Sequence, residues 1–299
     1  MSPILHKLIL VASGLVVAGL LVATRRAWAP LIGHAIPSIW RIAKVTVAEA
    51  RRRRVLQAVS VLAVLILVSM TFFSYLSPQE QARMLISGGL ASINVFGILL
   101  AIFTAAFLIP HEIESRTIYP ILAKPVRRFE FLLGKYIGSL IILGIIVAIM
   151  TGVLVAVLLI QDRLVEDLPG SAFNPSILPV VVAAAMSYCA LAVLTALIIL
   201  VSTFASTTMT VISAFMIWAV GSLQSTIHDL AEHAKGAAQL LLLVLYYVLP
   251  RLENFDFRHE VTNSVPIYML SALEAVGVGI IYSAVALILA AIFFNDRQV

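Results

Sequence analysis

The sequence predicts an all-α polytopic membrane protein with six core transmembrane helices and one extra span on the amino-terminal side. Two observations lead to this prediction. First, 62% of the 299 residues are hydrophobic and only 12% are charged, whereas ordinary soluble domains carry roughly a quarter charged residues. Second, the apolar residues come in blocks of about 20, the length at which a helix crosses a hydrocarbon layer with its backbone hydrogen bonds satisfied internally. A water-soluble globule is therefore excluded.

Seven apolar segments have a suitable length. The leading segment spans 4–23, and the core segments are 55–76, 89–110, 136–160, 177–201, 205–227 and 267–294. A further apolar stretch, 236–250, has 15 residues and ends in Pro250, so we expect a re-entrant or interfacial helix there. A secretory signal peptide is the alternative for the leading segment, but the strong positive charge follows that segment instead of preceding it. We therefore expect a retained span.

Formal charge alternates between successive connections. Segments 24–54 and 111–135 carry +7 and +2, whereas 77–88 is neutral and 161–176 and 225–266 each carry −2. Because basic residues concentrate in cytoplasmic connections, this alternation predicts that 24–54 and 111–135 are cytoplasmic and that the other three lie outside.

The basic segment at 38–54 mixes apolar and cationic positions. This pattern is typical of a helix that lies in the headgroup plane, with an aromatic side chain at the interface and cations against anionic lipid. A stop-transfer cluster is the alternative, and both interpretations keep the segment cytoplasmic. The predicted membrane-surface residues are Trp40, Arg41, Lys44, Arg51, Arg52, Arg53 and Arg54.

The chain contains no phosphate-binding loop and no partner for a disulfide. Its Gly134-Lys135 pair is followed by Tyr136 and lacks the upstream glycine of a GxxxxGK[ST] string. Cys189 is the single cysteine. Any nucleotide chemistry must therefore come from another chain, so we expect no catalytic residue and no cofactor on this one.

The stretch 111–138, HEIESRTIYPILAKPVRRFEFLLGKYIG, is polar and lies between two predicted spans. Glu112 and Arg116 are one helical turn apart and can pair, which suits a short helix across the membrane face. Gly134 and Gly138 permit close packing where the next span begins.

This stretch resembles the loop after the second core span in permeases of the type-2 ABC exporter superfamily. The matching positions are Glu112, Glu114, Thr117, Leu122, Pro125, Arg127, Gly134 and Lys135. Residues 247–257, YVLPRLENFDF, resemble the segment before that family's final span, and 294–297 resemble its carboxyl end, with Asp296 and Arg297 in reversed order. The resemblance covers roughly 38–299, so we expect a permease domain there and a separate unit, 1–37, made of the extra span and a linker.

The resemblance implies that the loop forms a coupling helix seated in a groove of a separate ATPase. Two permease subunits, here expected to be a homodimer, would pack with two ATPase copies that bind ATP and Mg²⁺. The expected setting is the bacterial inner membrane, and export is the expected direction. The residues implied in ATPase coupling are Glu112, Glu114, Arg116, Thr117, Tyr119, Arg127 and Arg128.

Few polar residues lie within the predicted spans. Glu274 is the only carboxylate and a possible part of a transport path, with a solvated interfacial role equally open. Asn94 and Gln224 are candidates for hydrogen bonds between helices. We predict no metal site at His228, Asp229, Glu232 and His233, because their spacing misses the HExxH and HxxEH patterns.

Two other classes of function compete with this interpretation. An ATP-independent secondary transporter is the main alternative, although the sequence shows no clear inverted repeat and little charge at the predicted midplane. An intramembrane enzyme would need converging acid, base or nucleophilic groups at membrane depth, and the sequence offers none. The sequence does not identify the substrate.

Overall fold

The structure, a computed structural model, describes residues 25–70, 78–108, 128–166, 177–233, 239–240, 242–243, 246, 250–263 and 265–296. All regular elements in these ranges are helical. The predicted leading span, most of the predicted coupling loop and most of 236–250 lie outside the described residues.

The first two helices are nearly continuous. Helix α1, Arg25–Arg52, has 28 residues and runs through the predicted domain boundary at 37/38. The backbone is extended at Arg53, and α2 follows at Arg54–Ser69 with 16 residues. The span predicted at 55–76 is thus represented by a short apolar helix, with 71–77 outside the described residues.

Four long apolar helices confirm four of the predicted core spans. They are α3 at Pro78–Leu108, α4 at Arg128–Glu166, α5 at Ile177–Ser202 and α9 at Met269–Asp296. Their membrane-crossing portions are 83–106, 129–161, 177–202 and 269–294. Helix α4 begins eight residues before the predicted span at 136, since polar Arg128–Lys135 is helical as well.

The span predicted at 205–227 is broken. Helix α6, Thr207–Ser222, and helix α7, Gln224–His233, meet at Leu223 with a bend of 73°. The sequence of α7, QSTIHDLAEH, is too polar to continue into lipid, so the chain turns where α6 ends. The described residues thus hold four spanning helices, or five if the bent pair counts as one span. A sixth core span stays a prediction.

A short strap between α7 and α9 packs against these helices, with Phe255 beside Val193 of α5 and Gly279 of α9. It consists of a 3-10 helix at Leu252–Phe255 and helix α8 at Arg258–Thr262. Leu252, Phe255 and Phe257 are buried and anchor the strap in the apolar core.

The core lies where α3, α4 and α5 meet, and the membrane-crossing parts of α3 and α5 are more buried than those of α4 and α9. Helices α4 and α5 run antiparallel, since the Tyr136 hydroxyl donates to the Ala192 carbonyl at 3.3 Å and the Tyr188 hydroxyl to the Leu140 carbonyl at 3.1 Å. Each bond gives a tyrosine hydroxyl a hydrogen-bond acceptor on the backbone of the neighbouring helix, since lipid offers no such acceptor.

Two groups of described polar segments flank the long helices. We call the end formed by α1 and the first turns of α4 the basic end, and the end formed by α7 and the strap the acidic end. This arrangement agrees with the alternation of charge along the sequence.

Candidate functional site: a docked helix at the basic end and a cavity at the acidic end

At the basic end, α1 packs against the start of α4 through two glycines. A Cβ atom added at Gly134 would lie 2.6 Å from the Ile42 Cβ, and one at Gly138 would lie 2.6 Å from the Thr46 Cβ. The carbonyl oxygens of Ile39 and Ala43 would be only 3.1 and 3.0 Å away. Backbone atoms cannot yield as a flexible side chain can, so both positions require glycine at this helix spacing. The predicted packing role of these glycines is confirmed.

Lys135 lies inside this contact. Its side chain is 2% exposed, and its Nζ atom lies 3.6 Å from the Glu49 Oε2 atom of α1. The other Glu49 oxygen accepts a hydrogen bond from Arg53 Nη2 at 2.7 Å. Lys135 Nζ also lies 5.7 Å from the centre of the Phe131 ring, within cation–π range. The arrangement links α1 and α4 by charge as well as by shape.

Glu49 is held ionised by these cations. Partial burial alone would raise the pKa of Glu49, but hydrogen bonds and charges from Arg53 and Lys135 outweigh burial and leave the pKa below its usual value. The carboxylate therefore remains available to the buried ammonium at neutral pH.

Two aromatic contacts bring the carboxyl end of α9 to the same place. Phe131 of α4 stacks on Phe294 of α9 with ring centres 6.1 Å apart, and Phe294 is fully buried. Phe204, in the turn between α5 and α6, meets Phe293 edge-on at 5.9 Å. Helices α1, α4 and α9 thus form one packed unit at the basic end.

The outer face of α1 carries most of the predicted membrane-surface residues. Trp40 is 50% exposed, and Lys44 Nζ lies 5.6 Å from the centre of its ring. Arg41, Arg51, Arg52 and Arg54 are exposed as well. Arg53 differs, because its guanidinium pairs with Glu49 at the contact with α4.

The residues implied in ATPase coupling fall at 109–127, outside the described residues, apart from Arg128, which is the first residue of α4. Their positions stay predictions. The helix that begins directly after this loop is described, and α4 reaches its contact with α1 within two turns of Arg128.

At the acidic end, Glu253 of the strap caps helix α7. Its carboxylate accepts hydrogen bonds from the Ser225 backbone N–H at 3.1 Å and from the Ser225 hydroxyl at 3.0 Å. A negative charge at a helix amino terminus satisfies unpaired amides and complements the helix dipole. This contact fixes the bend between α6 and α7.

Asp256 and Arg258 form a close ion pair beside it. Arg258 Nε donates to the two Asp256 carboxylate oxygens at 2.8 and 3.0 Å, and Arg258 Nη2 donates to Asp256 as well. Partial burial would raise the pKa of Asp256, but the Arg258 hydrogen bonds and charge outweigh burial and hold the pKa below its usual value. Asp256 is therefore ionised at neutral pH.

These strap residues border a cavity of about 260 Å³, which we call the vestibule, between α3, α5, α6 and the strap. Its lining residues are Ala91, Asn94, Val95, Ile98, Ala190, Leu191, Leu194, Trp218, Ser222, Leu252, Glu253, Asp256 and Arg258. Asn94, predicted as a partner between helices, thus borders a cavity.

A second cavity of about 360 Å³ lies between α4, α5 and α9. Tyr136, Tyr188, Cys189, Gly279 and Ala284 are among its lining residues. Because both tyrosine hydroxyls donate to backbone carbonyls, the cavity surface is nearly all apolar.

Glu274 is exposed near the start of α9 and lines neither cavity. Gln224 is buried and donates to the Tyr246 carbonyl at 3.5 Å, which supports its predicted packing role. Within the described residues, no group of three or more His, Cys, Asp or Glu side chains is placed to hold a metal ion. His228 lies 3.7 Å from Glu232, and the His233 ring contacts the Asp229 carbonyl.

Sequence reasoning missed the contact between Lys135 and Glu49 and the vestibule. A signal for the first was present, because Glu49 is the only acid in the basic segment 24–54 and Lys135 lies between two glycines. No local pattern could have predicted the vestibule, whose walls come from four separate parts of the chain.

The long apolar helices define a multi-pass membrane protein. The chain belongs to the ABC-2 family transporter protein family, which it matches over residues 40–299. The description of this family as transporter proteins agrees with the multi-pass architecture.

A relative with the name probable ABC transporter permease protein NosY, from Pseudomonas aeruginosa, is 29% identical over 114 residues. The match covers 37% of this chain and 42% of the relative. The chain thus spans less than half the length of the curated relative it matches.

Proposed function

We propose that this chain is the permease of an ATP-driven exporter and couples ATP hydrolysis on a separate ATPase to substrate movement across a bacterial inner membrane. Family membership over 40–299 is the observation that carries this proposal. In the proposed assembly, two copies of the permease pack with two ATPase subunits, which bind ATP and Mg²⁺.

The structure supports a route for force at the basic end. Helix α4 follows the loop at 109–127, and within three turns it is locked to α1 by Gly134, Lys135 and Gly138. Packed cores move as bodies instead of deforming continuously. A displacement of the loop would therefore move α4, α1 and the attached end of α9 together.

The proposed ATPase contact is made by the acidic and polar residues of the loop, Glu112, Glu114, Arg116, Thr117 and Tyr119, with Arg127 and Arg128 at its rim. This assignment rests on the resemblance of the loop and on its position directly before α4.

Co-purification with a co-expressed ABC ATPase partner tests the proposal. A Glu112→Arg variant should lose most of the bound ATPase, because a cation would replace an anion at the contact. A Glu80→Arg variant, on an exposed position of α3, should retain it. Equal retention by both variants would show that the loop contact is wrongly assigned.

An ATP-independent secondary transporter is the alternative function. Uptake or efflux in vesicles that hold this chain, an ion gradient and no ATPase would establish that alternative. No transport under those conditions, with transport restored by the ATPase and ATP, is the result that we expect.

A further inference from the structure

The vestibule has two chemically different parts. Glu253, Asp256 and Arg258 border a charged part, which we call the mouth. Leu191 and Leu194 of α5 border an apolar part. A molecule that fills this space is therefore polar where it meets the mouth and apolar where it meets α5.

The charges at the mouth favour a cationic head group. Arg258 is paired with Asp256, so this pair adds no net charge. Glu253 is engaged by the neutral donors of Ser225, and no cation of the described chain lies within ion-pair distance of it. The mouth thus carries one negative charge that the α7 dipole offsets in part and that no paired cation of the described chain neutralises.

An aromatic wall adds to this preference. Trp218 of α6 lines the vestibule one turn before Ser222, where α6 ends. The face of an indole ring attracts ammonium groups, and the attraction is stronger where water is excluded. Asn94, on the opposite wall in α3, supplies an amide that can accept or donate a hydrogen bond.

The volume limits the size of the ligand. About 260 Å³ is slightly below the usual range of pockets for drug-sized molecules, roughly 300–1,000 Å³. A two-chain lipid or a protein helix about 10 Å across is too large. A single short hydrocarbon chain with a compact head group fits this volume.

We propose that the vestibule is a binding site for a short single-chain amphiphile with an ammonium head group, held with its head at Glu253 and Trp218 and its chain toward Leu191 and Leu194. This assignment names the class of substrate for the permease and in that sense rests on the proposed function.

Equilibrium binding of radiolabelled octyltrimethylammonium to the full chain in nanodiscs, with empty nanodiscs subtracted, tests the proposal. Unlabelled octyltrimethylammonium should displace the probe. Octyl sulfate, with the same chain and the opposite charge, should compete at least tenfold more weakly, and tetramethylammonium, which has no chain, should also be weak. Equal competition by octyl sulfate would overturn the proposal.

Two alanines provide a matched pair of variants. Ala91 lines the vestibule and Ala284 lines the second cavity. An Ala91→Leu variant should weaken probe binding at least fivefold, because the added side chain occupies the vestibule, whereas Ala284→Leu should bind as the wild type does. Loss of binding in Ala284→Leu alone would place the probe in the second cavity and contradict the proposal.

The Glu253→Gln variant separates the effect of the Glu253 charge on binding from its effect on the α7 cap. Glutamine keeps an oxygen that can accept the Ser225 hydrogen bonds, so the cap on α7 is retained. We expect a severalfold loss of octyltrimethylammonium affinity and a smaller preference over octyl sulfate. Unchanged affinity and preference in this variant would show that Glu253 does not recognise the head group.

The binding measurement needs no ATPase. If binding fails while the ATPase still co-purifies with the permease, the proposed function stands and the substrate assignment is wrong. If binding succeeds while the ATPase does not co-purify, the vestibule binds the amphiphile and the proposed coupling to an ATPase is wrong.

Discussion

Lys135 of α4 and Glu49 of α1 meet across the glycine contact, with 3.6 Å between Nζ and Oε2 and with the lysine 2% exposed. Their contributions to stability are unequal, because the lysine is buried whereas the Glu49 side chain is 32% exposed and also pairs with Arg53.

We therefore predict that Glu49→Gln lowers stability more than Lys135→Met does. The first change withdraws a charged partner from a buried ammonium, a loss of about 1–3 kcal/mol. The second removes the buried charge and leaves a carboxylate that solvent and Arg53 can satisfy. Thermal unfolding in detergent measures both variants, with Glu80→Gln as the exposed control. A larger drop in melting temperature for Lys135→Met than for Glu49→Gln would contradict this prediction.

Gly138 and Gly152 of α4 form a matched pair for the packing of α1. A Cβ at Gly138 would lie 2.6 Å from the Thr46 Cβ and 3.0 Å from the Ala43 carbonyl oxygen, whereas a Cβ at Gly152 meets nothing within 4 Å. Gly138→Ala should lower the melting temperature and expose α1 to proteolysis. Gly152→Ala should be neutral or stabilise the helix by up to about 1 kcal/mol. Equal effects would mean that α1 is not docked at this distance.

The cap on α7 predicts a local effect at the acidic end. Replacing Glu253 by alanine removes the acceptor for the Ser225 N–H and hydroxyl and should cost about 1 kcal/mol, the usual value for a lost helix cap. Faster amide hydrogen exchange confined to α7 and the strap would show that the cap is lost. Glu232→Ala, on an exposed position of α7, is the control. Loss of protection throughout the chain would indicate a different role.

The ion pair of Asp256 and Arg258 predicts a pH dependence. The pKa of Asp256 is lower in the folded chain than the unfolded value of about 3.9. The pair therefore stabilises the fold fully above the unfolded pKa, and this contribution is lost as pH falls through the folded pKa. Asp256→Asn should be less stable than wild type at pH 6, and the difference in melting temperature should narrow toward pH 3. A constant difference would exclude ionisation of Asp256 as its cause.

The alternation of charge predicts that the basic end is cytoplasmic. In a Cys189→Ser background, an impermeant maleimide added outside intact cells should label Glu232→Cys and should label Lys44→Cys only after permeabilisation. Both positions are exposed. The opposite pattern would invert the membrane orientation.

Hydropathy predicted the four long spans because each is an uninterrupted apolar block, and their observed ends differ from the predictions mainly where polar residues extend a helix. The break at Leu223 was not predicted. The polar sequence of α7 indicates that the span ends there, but the 73° bend also involves the contact between Ser225 and Glu253, which lie 28 residues apart in the chain. Interactions of this kind have no signature in a local window.

The same reasoning applies to the candidate sites. Gly134 and Gly138 could be identified from the sequence, because small residues one turn apart indicate close packing, and the structure confirmed it. The partner helix could not be identified, since no pattern specifies that Ile42 and Thr46 lie opposite. The vestibule combines residues as distant as Ala91 and Arg258, and only the tertiary structure brings them together.

Helix α6 also has a consequence for the surrounding lipid. Its 16 residues extend about 24 Å, several ångströms less than a hydrocarbon layer of about 30 Å. Met209, Ile212 and Met216 face outward along this length. Lipid beside α6 therefore meets a shorter apolar surface than it meets at the long helices, so hydrophobic mismatch favours a thinner bilayer at this side of the protein.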